Sequence, residues 1–276
     1  ITMLIGLGST LGAVAAIFHI VNHATFKASL FMAAGAVDHE AGTRDLRRLG
    51  GLRHFMPITA TLAVIASAAM AGVPLLNGFL SKEMFFAVAL TTHRGPAVDM
   101  AAAAIAVLAS AFSVVYSLRF ALGVFFGPAR DDYPRQPHEP PRWMRLPIGL
   151  LALACVLVGM LPARVIGPPL RAAAYSVLGE ATPAFSLAVW HGLTPPLLMS
   201  AIALVAGCVV YVVLRGYFAG RETLPLLGRF SGRRIFEWML TLMTATLPAR
   251  TCVLIRASGR RRRAGGRRCA RATARR

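Results

Sequence analysis

The residues best suited to chemistry stand in one apolar stretch, AIFHIVNHATFKASLFMAA, which covers residues 16–34. His19, His23 and Lys27 follow one another at intervals of four residues. On an α-helix such positions advance only about 40° around the axis per step, so the three side chains form one stripe about 12 Å long. Ionisable groups in an apolar helix are costly unless they line a wet or paired interior. The stripe therefore predicts a proton pathway.

Lys82 and Glu83 form a second ionisable pair, which follows two interruptions of an apolar run, Gly72-Val73-Pro74 and Asn77-Gly78. Proline and glycine at these positions predict that the run is broken into two helices. Adjacent helical residues point about 100° apart, so the two side chains are expected to face different neighbours. Broken membrane helices line watery cavities, which favours a functional role. The alternative is a lysine that extends to water beside a local acidic partner.

Lysine occurs only at positions 27 and 82, although lysine and arginine together number 30. Arginine keeps its proton under almost all conditions, whereas a lysine removed from water can release and rebind one. The choice of lysine at these two positions therefore indicates that both side chains carry protons.

Metal, cofactor and soluble-enzyme chemistry are not predicted. The spacing of His19 and His23 would allow them to share a metal ion, but the nearest carboxylates, Asp38 and Glu40, fall in a predicted loop. The sequence has no phosphate-binding loop, no dinucleotide-binding glycine motif and no nucleophile elbow. Its four cysteines show no CxxC spacing. We therefore expect neither a metal nor a cofactor.

The composition indicates a polytopic, all-α membrane protein. Of the 276 residues 56% are hydrophobic and 15% charged, whereas soluble domains average about 25% charged residues. About five spans are predicted, at residues 10–37, 57–90 (the broken one), 97–126, 146–161 and 194–214, after a truncated helix at 1–8. The segment 233–255 is amphipathic and is either an interfacial helix or a poor span.

The loop arginines predict the orientation of these spans. Arginines are frequent in residues 38–55, 127–145 and 215–234, and sparse in the intervening loops. By the positive-inside rule these three regions, and with them the C-terminus, are expected to be cytoplasmic. Residues 256–276 contain ten arginines and no acidic residue. They predict a disordered tail, and since it has no aromatic residues to stack on bases, no nucleic acid is expected as a partner.

These residues resemble the proton-antiporter membrane subunits. That family includes the antiporter-like subunits of respiratory complex I and the A subunit of the Mrp/Pha-type multisubunit cation/proton antiporters. The strings HIVNHATFKASLFMAAG, DHEAGTRDLRRLGGL and MAGVPLLNGFLSKEMFF, which lie within residues 19–86, are more similar to the A subunit than to its complex I relatives. The string AVWHG at residues 188–192 is likewise similar to the A subunit.

The resemblance implies roles for the ionisable residues. Lys27 would be a central proton carrier with His19 and His23 as relays, and Lys82 would be the lysine of the broken helix with Glu83 as its acidic neighbour. The resemblance also implies a secondary transporter subunit rather than an enzyme, which exchanges Na⁺ or K⁺ for protons in the bacterial inner membrane. Its expected partners are other antiporter subunits in a hetero-oligomeric complex and the lipid bilayer.

The resemblance also implies a division of the chain. Residues 1–127 are expected to be the C-terminal part of the antiporter membrane domain, and residues 128–255 further transmembrane or amphipathic helices. Because the family core comprises two inverted repeats, the chain is expected to be a fragment. Two alternatives stay open: a proton-pumping subunit of NADH:quinone oxidoreductase, and a structural scaffold whose polar groups only join helices.

Overall fold

A computed structural model describes residues 1–91, 95–128, 133–188, 192–218 and 236–241. Every regular element in these ranges is helical, which confirms the prediction of an all-α protein. The chain divides into two packing units, Ile1–Gly216 and Tyr217–Arg276. Within the second unit a helical segment is described at residues 236–241. Most of the predicted segment 233–255 and the whole arginine-rich tail lie outside the described residues.

The part of the chain described up to residue 218 contains nine α-helices. They are α1 (Thr2–Gly6), α2 (Thr10–Ala41), α3 (Pro57–Ala71), α4 (Asn77–Leu90), α5 (Pro96–Ala121), α6 (Arg142–Met160), α7 (Pro162–Val165), α8 (Gly167–Leu178) and α9 (Pro195–Phe218). A π-helical turn, Leu122–Phe126, continues α5. Short 3₁₀ turns occur at Leu52–His54 and Gly179–Ala181.

Helix α2 begins at the predicted residue but ends later than predicted. The Ser9 hydroxyl accepts a hydrogen bond from the Gly12 amide at 3.0 Å and caps its first turn. The helix runs on until Gly42, which has a φ of 73° and ends it in the left-handed conformation. Asp38, His39 and Glu40 are therefore helical, and the interpretation that they form a solvated loop is wrong. The Glu40 side chain is only 3% exposed.

The predicted helix break is present between α3 and α4. Helix α3 ends at Gly72, whose φ is 83°, and α4 begins at Asn77. Leu75 within the break also has a positive φ, 69°, which is strained for a residue with a side chain. Helix α6 packs directly on the break at Gly159, where a Cβ atom would lie 2.5 Å from the Leu76 Cα. The backbone of α6 thus supports the break from one side.

Helix α2 lies at the centre of the bundle and packs against α3, α4, α6 and α8. The contact region of α2 with α3 and α6 is rich in buried small residues, including Ala33, Ala36, Ala60 and Ala63. Small side chains allow helix backbones to approach closely, which is how membrane helices associate when burial from water does not drive them together. The central helix therefore holds its polar stripe in a fixed register against its neighbours.

Three helical segments in the described part of the chain are long and apolar enough to cross a membrane: Pro96–Phe126, Arg142–Met160 and Pro195–Gly216. Helix α2 has 32 residues, but His19, Asn22, His23 and Lys27 lower its mean hydropathy. Helices α3 and α4 are shorter because the break divides the predicted span. The structure therefore shows a polytopic membrane bundle with a broken helix.

Candidate functional site

One cavity collects four of the five residues that the sequence singled out. His19, His23, Lys27 and Lys82 line a space of about 400 Å³ between α2, α4 and α5. Its other lining residues are Phe26, Met70, Gly78, Ala109, Phe112, Ser113 and Tyr116. The i, i+4, i+8 spacing on α2 thus places the stripe on one wall, and α4 brings Lys82 to the same space.

The two histidines stand next to each other along α2. Their ring centroids are 5.8 Å apart and the rings are tilted by 37°. His23 also meets the Phe26 ring edge to face, at a centroid distance of 5.5 Å. Both imidazoles are only partly buried. They are therefore close enough for one water molecule to bridge them and open enough to the cavity to admit it.

His19 joins α2 to α4 through a hydrogen bond. Its Nδ1 lies 2.7 Å from the hydroxyl oxygen of Ser81, which is almost fully buried. Ser81 donates when Nδ1 is unprotonated and accepts when Nδ1 carries a proton. The hydroxyl can therefore follow either protonation state of the ring without losing the contact.

Lys27 sits against an aromatic ring of α5. Its ammonium nitrogen is 4.8 Å from the centroid of the Tyr116 ring. A cation above an aromatic face is stabilised by about 0.5–2 kcal/mol, according to how far water is excluded. Tyr116 is 54% exposed in this chain, so the pair lies at the edge of the cavity rather than in its depth.

Lys82 reaches back across the helix break. Its ammonium group donates a hydrogen bond of 2.7 Å to the carbonyl oxygen of Ala71, the last residue of α3. The negative end of a helix dipole favours a cation at this place. Its side chain crosses Gly72, where a Cβ atom would lie 2.7 Å from the Lys82 Cδ. Gly72 therefore provides both the left-handed turn and the space for the lysine.

Glu83 faces a different cavity from its neighbour. It lines a space of about 480 Å³ whose walls are otherwise mostly apolar, with Phe18, Leu80, Met84 and Phe185 among them. The angular separation of adjacent helical residues accounts for this arrangement. Of the five candidate residues, Glu83 is thus the one that the structure does not bring to the shared cavity.

Two residues that line the cavity, Ser113 and Tyr116, were missed in the sequence. So was Ser81, which contacts His19 from α4. The Ser113 hydroxyl donates to the carbonyl oxygen of Met70 at 3.2 Å and so links α5 to α3. The available signal was a polar or aromatic residue inside an apolar span, which is too common in membrane helices to be specific. Among the described residues no cluster of three or more His, Cys, Asp or Glu side chains has the arrangement of a metal site.

A second group of polar contacts lies at the C-terminal end of α2 and in the loop that follows it. One carboxylate oxygen of Glu40 lies 3.0 Å from Nδ1 of His39. The other lies 3.1 Å from Nε2 of His138. In the loop that follows, Arg47 donates to Asp45 through its Nε and Nη2 atoms, and these bonds lower the pKa of Asp45 to about 2. None of these residues lines the cavity of His19, His23, Lys27 and Lys82.

One family model matches the N-terminal part of the chain. Residues 2–113 match the family described as "NADH:quinone oxidoreductase/Mrp antiporter, TM". The matched range contains the stripe on α2, the helix break and most of α5. The match therefore covers every residue of the candidate site except Tyr116.

Curated relatives extend the similarity over most of the chain. The A/B subunit of a probable K⁺/H⁺ antiporter of Rhizobium meliloti is 61% identical over 245 residues, which cover 88% of this chain and 24% of the relative. The A subunit of the Na⁺/H⁺ antiporter of Bacillus subtilis is 38% identical over 85% of this chain and 30% of its own length. The chain thus spans between about a quarter and a third of these relatives.

Solved structures show the same similarity. A chain of the Mrp complex from Dietzia sp. is 36% identical, with a TM-score of 0.69 over 88% of this chain and 26% of that chain. A chain of an archaeal membrane-bound sulfane sulfur reductase, 23% identical with a TM-score of 0.59, shares the fold. This protein is therefore a membrane protein homologous to one segment of the A subunit of Mrp-type antiporters, and its residues 2–113 match the membrane family named for NADH:quinone oxidoreductase and Mrp antiporters.

Proposed function

We propose that this chain forms part of the membrane subunit of a multisubunit Na⁺(K⁺)/H⁺ antiporter and contributes a segment of its proton path. The observation that carries the proposal is the convergence of His19, His23, Lys27 and Lys82 on one cavity of about 400 Å³. A space of that size holds several water molecules, each of which occupies about 30 Å³ in the liquid. Water and ionisable groups in one membrane cavity are what proton transfer requires.

The contacts of each residue suggest its role. Lys27 carries the proton at the edge of the cavity, where the Tyr116 ring holds its ammonium group. His19 and His23 relay protons along α2, because their rings are neighbours and Ser81 supports His19 in either protonation state. Lys82 is the next carrier and rests against the C-terminal carbonyl of α3 when it is charged. Glu83, which points about 100° away from Lys82 around the axis of α4, tunes Lys82 electrostatically.

Repulsion between like charges supplies the coupling. Lys27 and Lys82 line one cavity, so a charge on one raises the free energy of a charge on the other. Loading one lysine therefore favours release of a proton from the other. Exchange follows if the movement of Na⁺ or K⁺ elsewhere in the complex is linked to this alternation.

The relatives support the proposed partners and location. The relatives are named as subunits of K⁺/H⁺ and Na⁺/H⁺ antiporters, and this chain spans only part of their length. We therefore place it in a hetero-oligomeric complex of the bacterial inner membrane, as a transporter component and not an enzyme. The arginine-rich loops support a cytoplasmic C-terminus.

The experiment uses everted vesicles that contain the complete complex, from a bacterial strain without its own antiporters. Lys27→Ala should abolish the pH change that Na⁺ or K⁺ addition produces, while the complex still assembles on a native gel. The control is Phe31→Leu, an exposed apolar position on the same helix. Unchanged exchange in Lys27→Ala would remove the proton-path assignment, and lost assembly would favour the scaffold alternative.

A second candidate is a proton-pumping subunit driven by quinone reduction, because the matched family is named for NADH:quinone oxidoreductase as well. The same vesicles distinguish the two functions. Acidification that depends on NADH oxidation, and does not respond to Na⁺ or K⁺, would favour the pump. Exchange that responds to a cation without NADH would favour the antiporter.

A further inference from the structure

A groove on the outer surface of α3 and α6 combines an apolar floor with a basic end. It has a volume of about 320 Å³. Its apolar lining consists of Ile58, Leu62, Leu146, Gly149, Leu150 and Leu153, and two arginines, Arg142 and Arg145, complete it. Leu146, Leu150 and Leu153 share one face of α6 by their spacing, and all three are exposed. The floor therefore offers an aliphatic surface to whatever lies outside the bundle.

The basic end keeps a net positive charge, although Arg145 forms an ion pair with Glu139. The one acidic side chain close to it, among the described residues, is Glu139, which accepts hydrogen bonds from the backbone amides of Ile58 and Thr59 at 3.1 and 3.0 Å. Glu139 thus caps the N-terminus of α3. Its carboxylate is 4.0 Å from Nη1 of Arg145, beyond hydrogen-bond distance. The charge of Glu139 is therefore largely satisfied by a helix end rather than by Arg145.

Arg145 has unused donor capacity. Its Nε atom is buried and makes no hydrogen bond to any of the described residues. The side chain as a whole is only 20% exposed, so the planar guanidinium is held in place beside the groove. Arg142 stands one helical turn earlier and is exposed. Residues three apart lie on the same side of a helix, and guanidinium groups bind phosphodiester oxygens in bidentate geometry.

Trp143 marks the level of this end in the membrane. Its side chain is 83% exposed and stands between the two arginines in the first turn of α6. Tryptophan is enriched where hydrocarbon meets water, and the apolar part of α6 begins directly after it. The arginines therefore lie at headgroup level, and the leucine floor runs from them into the hydrocarbon region.

We propose that this groove binds one anionic phospholipid, with its phosphodiester held by Arg142 and Arg145 and an acyl chain along the leucine floor. Charge and polarity favour this occupant. The basic end of the groove has two arginines, and its acidic neighbour, Glu139, is hydrogen-bonded to the N-terminus of α3. The aliphatic floor suits an acyl chain. The proposal requires that the groove face the lipid of the membrane, and it requires nothing of the proposed transport function. It holds or fails independently of the proton path.

The test is native mass spectrometry of the complete complex after removal of its lipids and titration with phosphatidylglycerol or phosphatidylcholine. The native complex should bind phosphatidylglycerol more tightly than phosphatidylcholine. The double variant Arg142→Gln, Arg145→Gln should bind phosphatidylglycerol at least tenfold more weakly. Arg164→Gln with Arg171→Gln, which removes two arginines outside the groove, is the matched control. Excess inorganic phosphate should not displace the lipid.

A second variant keeps the test decisive if the arginine substitutions reduce assembly. Leu150→Trp fills the floor from an exposed position and leaves both arginines, so it should weaken phosphatidylglycerol binding as well. Equal binding of the two lipids, or unchanged phosphatidylglycerol binding in both variants, would overturn the proposal. So would an efficient cross-link from Leu150→Cys to another subunit, because a protein would then cover the groove.

Discussion

The ammonium group of Lys82 lies 2.7 Å from the carbonyl oxygen of Ala71, across the break that separates α3 from α4. The position of the Lys82 side chain therefore depends on the geometry of the break. In return, the lysine satisfies a carbonyl group that the end of α3 leaves without a helical partner. Gly72 lies under the side chain and makes this contact possible.

We expect Gly72→Ala to disturb the break and the lysine together. A side chain at a φ of 83° costs about 1–2 kcal/mol, and the new Cβ would displace the Lys82 side chain. Thermal unfolding of the purified complex should show the destabilisation, and vesicle assays should show slower exchange. Gly35→Ala is the control, because no atom lies within 4 Å of a Cβ placed there. Unaltered exchange in Gly72→Ala would contradict the role given to the Lys82 contact.

Two substitutions of Tyr116 distinguish the contribution of its aromatic ring from that of its hydroxyl group. Tyr116→Phe keeps the aromatic face under the Lys27 ammonium and should retain exchange, whereas Tyr116→Leu removes a contact of about 0.5–2 kcal/mol. Exchange in the leucine variant should therefore fall severalfold in everted vesicles. Equal rates in the two variants would show that the ring does not hold Lys27.

The contact between His19 and Ser81 is open to a double-mutant cycle. Ser81→Ala removes the hydroxyl at 2.7 Å, and the cycle with His19→Ala should give a coupling energy of about 0.5–1.5 kcal/mol in the stability of the complex. Ser29→Ala paired with His19→Ala is the control, since the Ser29 hydroxyl donates to Ile148 on α6 instead. A coupling energy near zero for Ser81 would argue against a bond between α2 and α4.

Gly159→Ala should destabilise the protein by about 1–3 kcal/mol through overpacking, because its Cβ would overlap the backbone of Leu75 and Leu76. Gly149→Ala on the same helix is the matched control, since its Cβ would meet Leu62 at an ordinary 3.8 Å. Thermal unfolding of the two purified variants provides the comparison. Similar unfolding temperatures would show that α6 does not pack on the break as described.

Asp45 supplies a prediction on pH. Hydrogen bonds from Arg47 lower its pKa from an ordinary 3.8 to about 2. A lowered pKa means that the contribution to stability is full above about pH 3.8 and is lost as the pH falls through about 2. Carbon NMR of labelled aspartate should find a carboxylate that titrates near 2. In Arg47→Gln that titration should move up towards 3.8, and an unmoved titration would assign the shift to another group.

The sequence allowed prediction of features that depend on one element. The spacing of His19, His23 and Lys27 alone determines their common face, and the glycines and proline near residue 74 alone account for the break. The end of α2 was misjudged because three polar residues, Asp38 to Glu40, resemble a loop. Glu40 is buried and lies 3.1 Å from His138, almost a hundred residues later, and no local pattern reveals that pairing.

The contacts of the cavity depend on how helices are placed against each other. Ser81 meets His19, and Tyr116 meets Lys27, only because α4 and α5 have particular positions beside α2. That register is set by close packing at small residues over the whole bundle, which periodicity in a single helix cannot express. The roles of the five candidate residues stay predictions until the variants are measured.

Because Gly159 packs on the helix break, the geometry of the candidate site should depend on the thickness of the bilayer. Helix α6 has 19 residues and is thus about 28 Å long, with Trp143 at one end and Gly159 at the other. A helix fitted so closely to the hydrocarbon thickness tilts when the bilayer becomes thinner. Since the backbones of Gly159 and Leu76 are in contact, a tilt of α6 must be taken up at residues 72–76. Membranes of different thickness should therefore alter the position of Lys82 without any change in sequence.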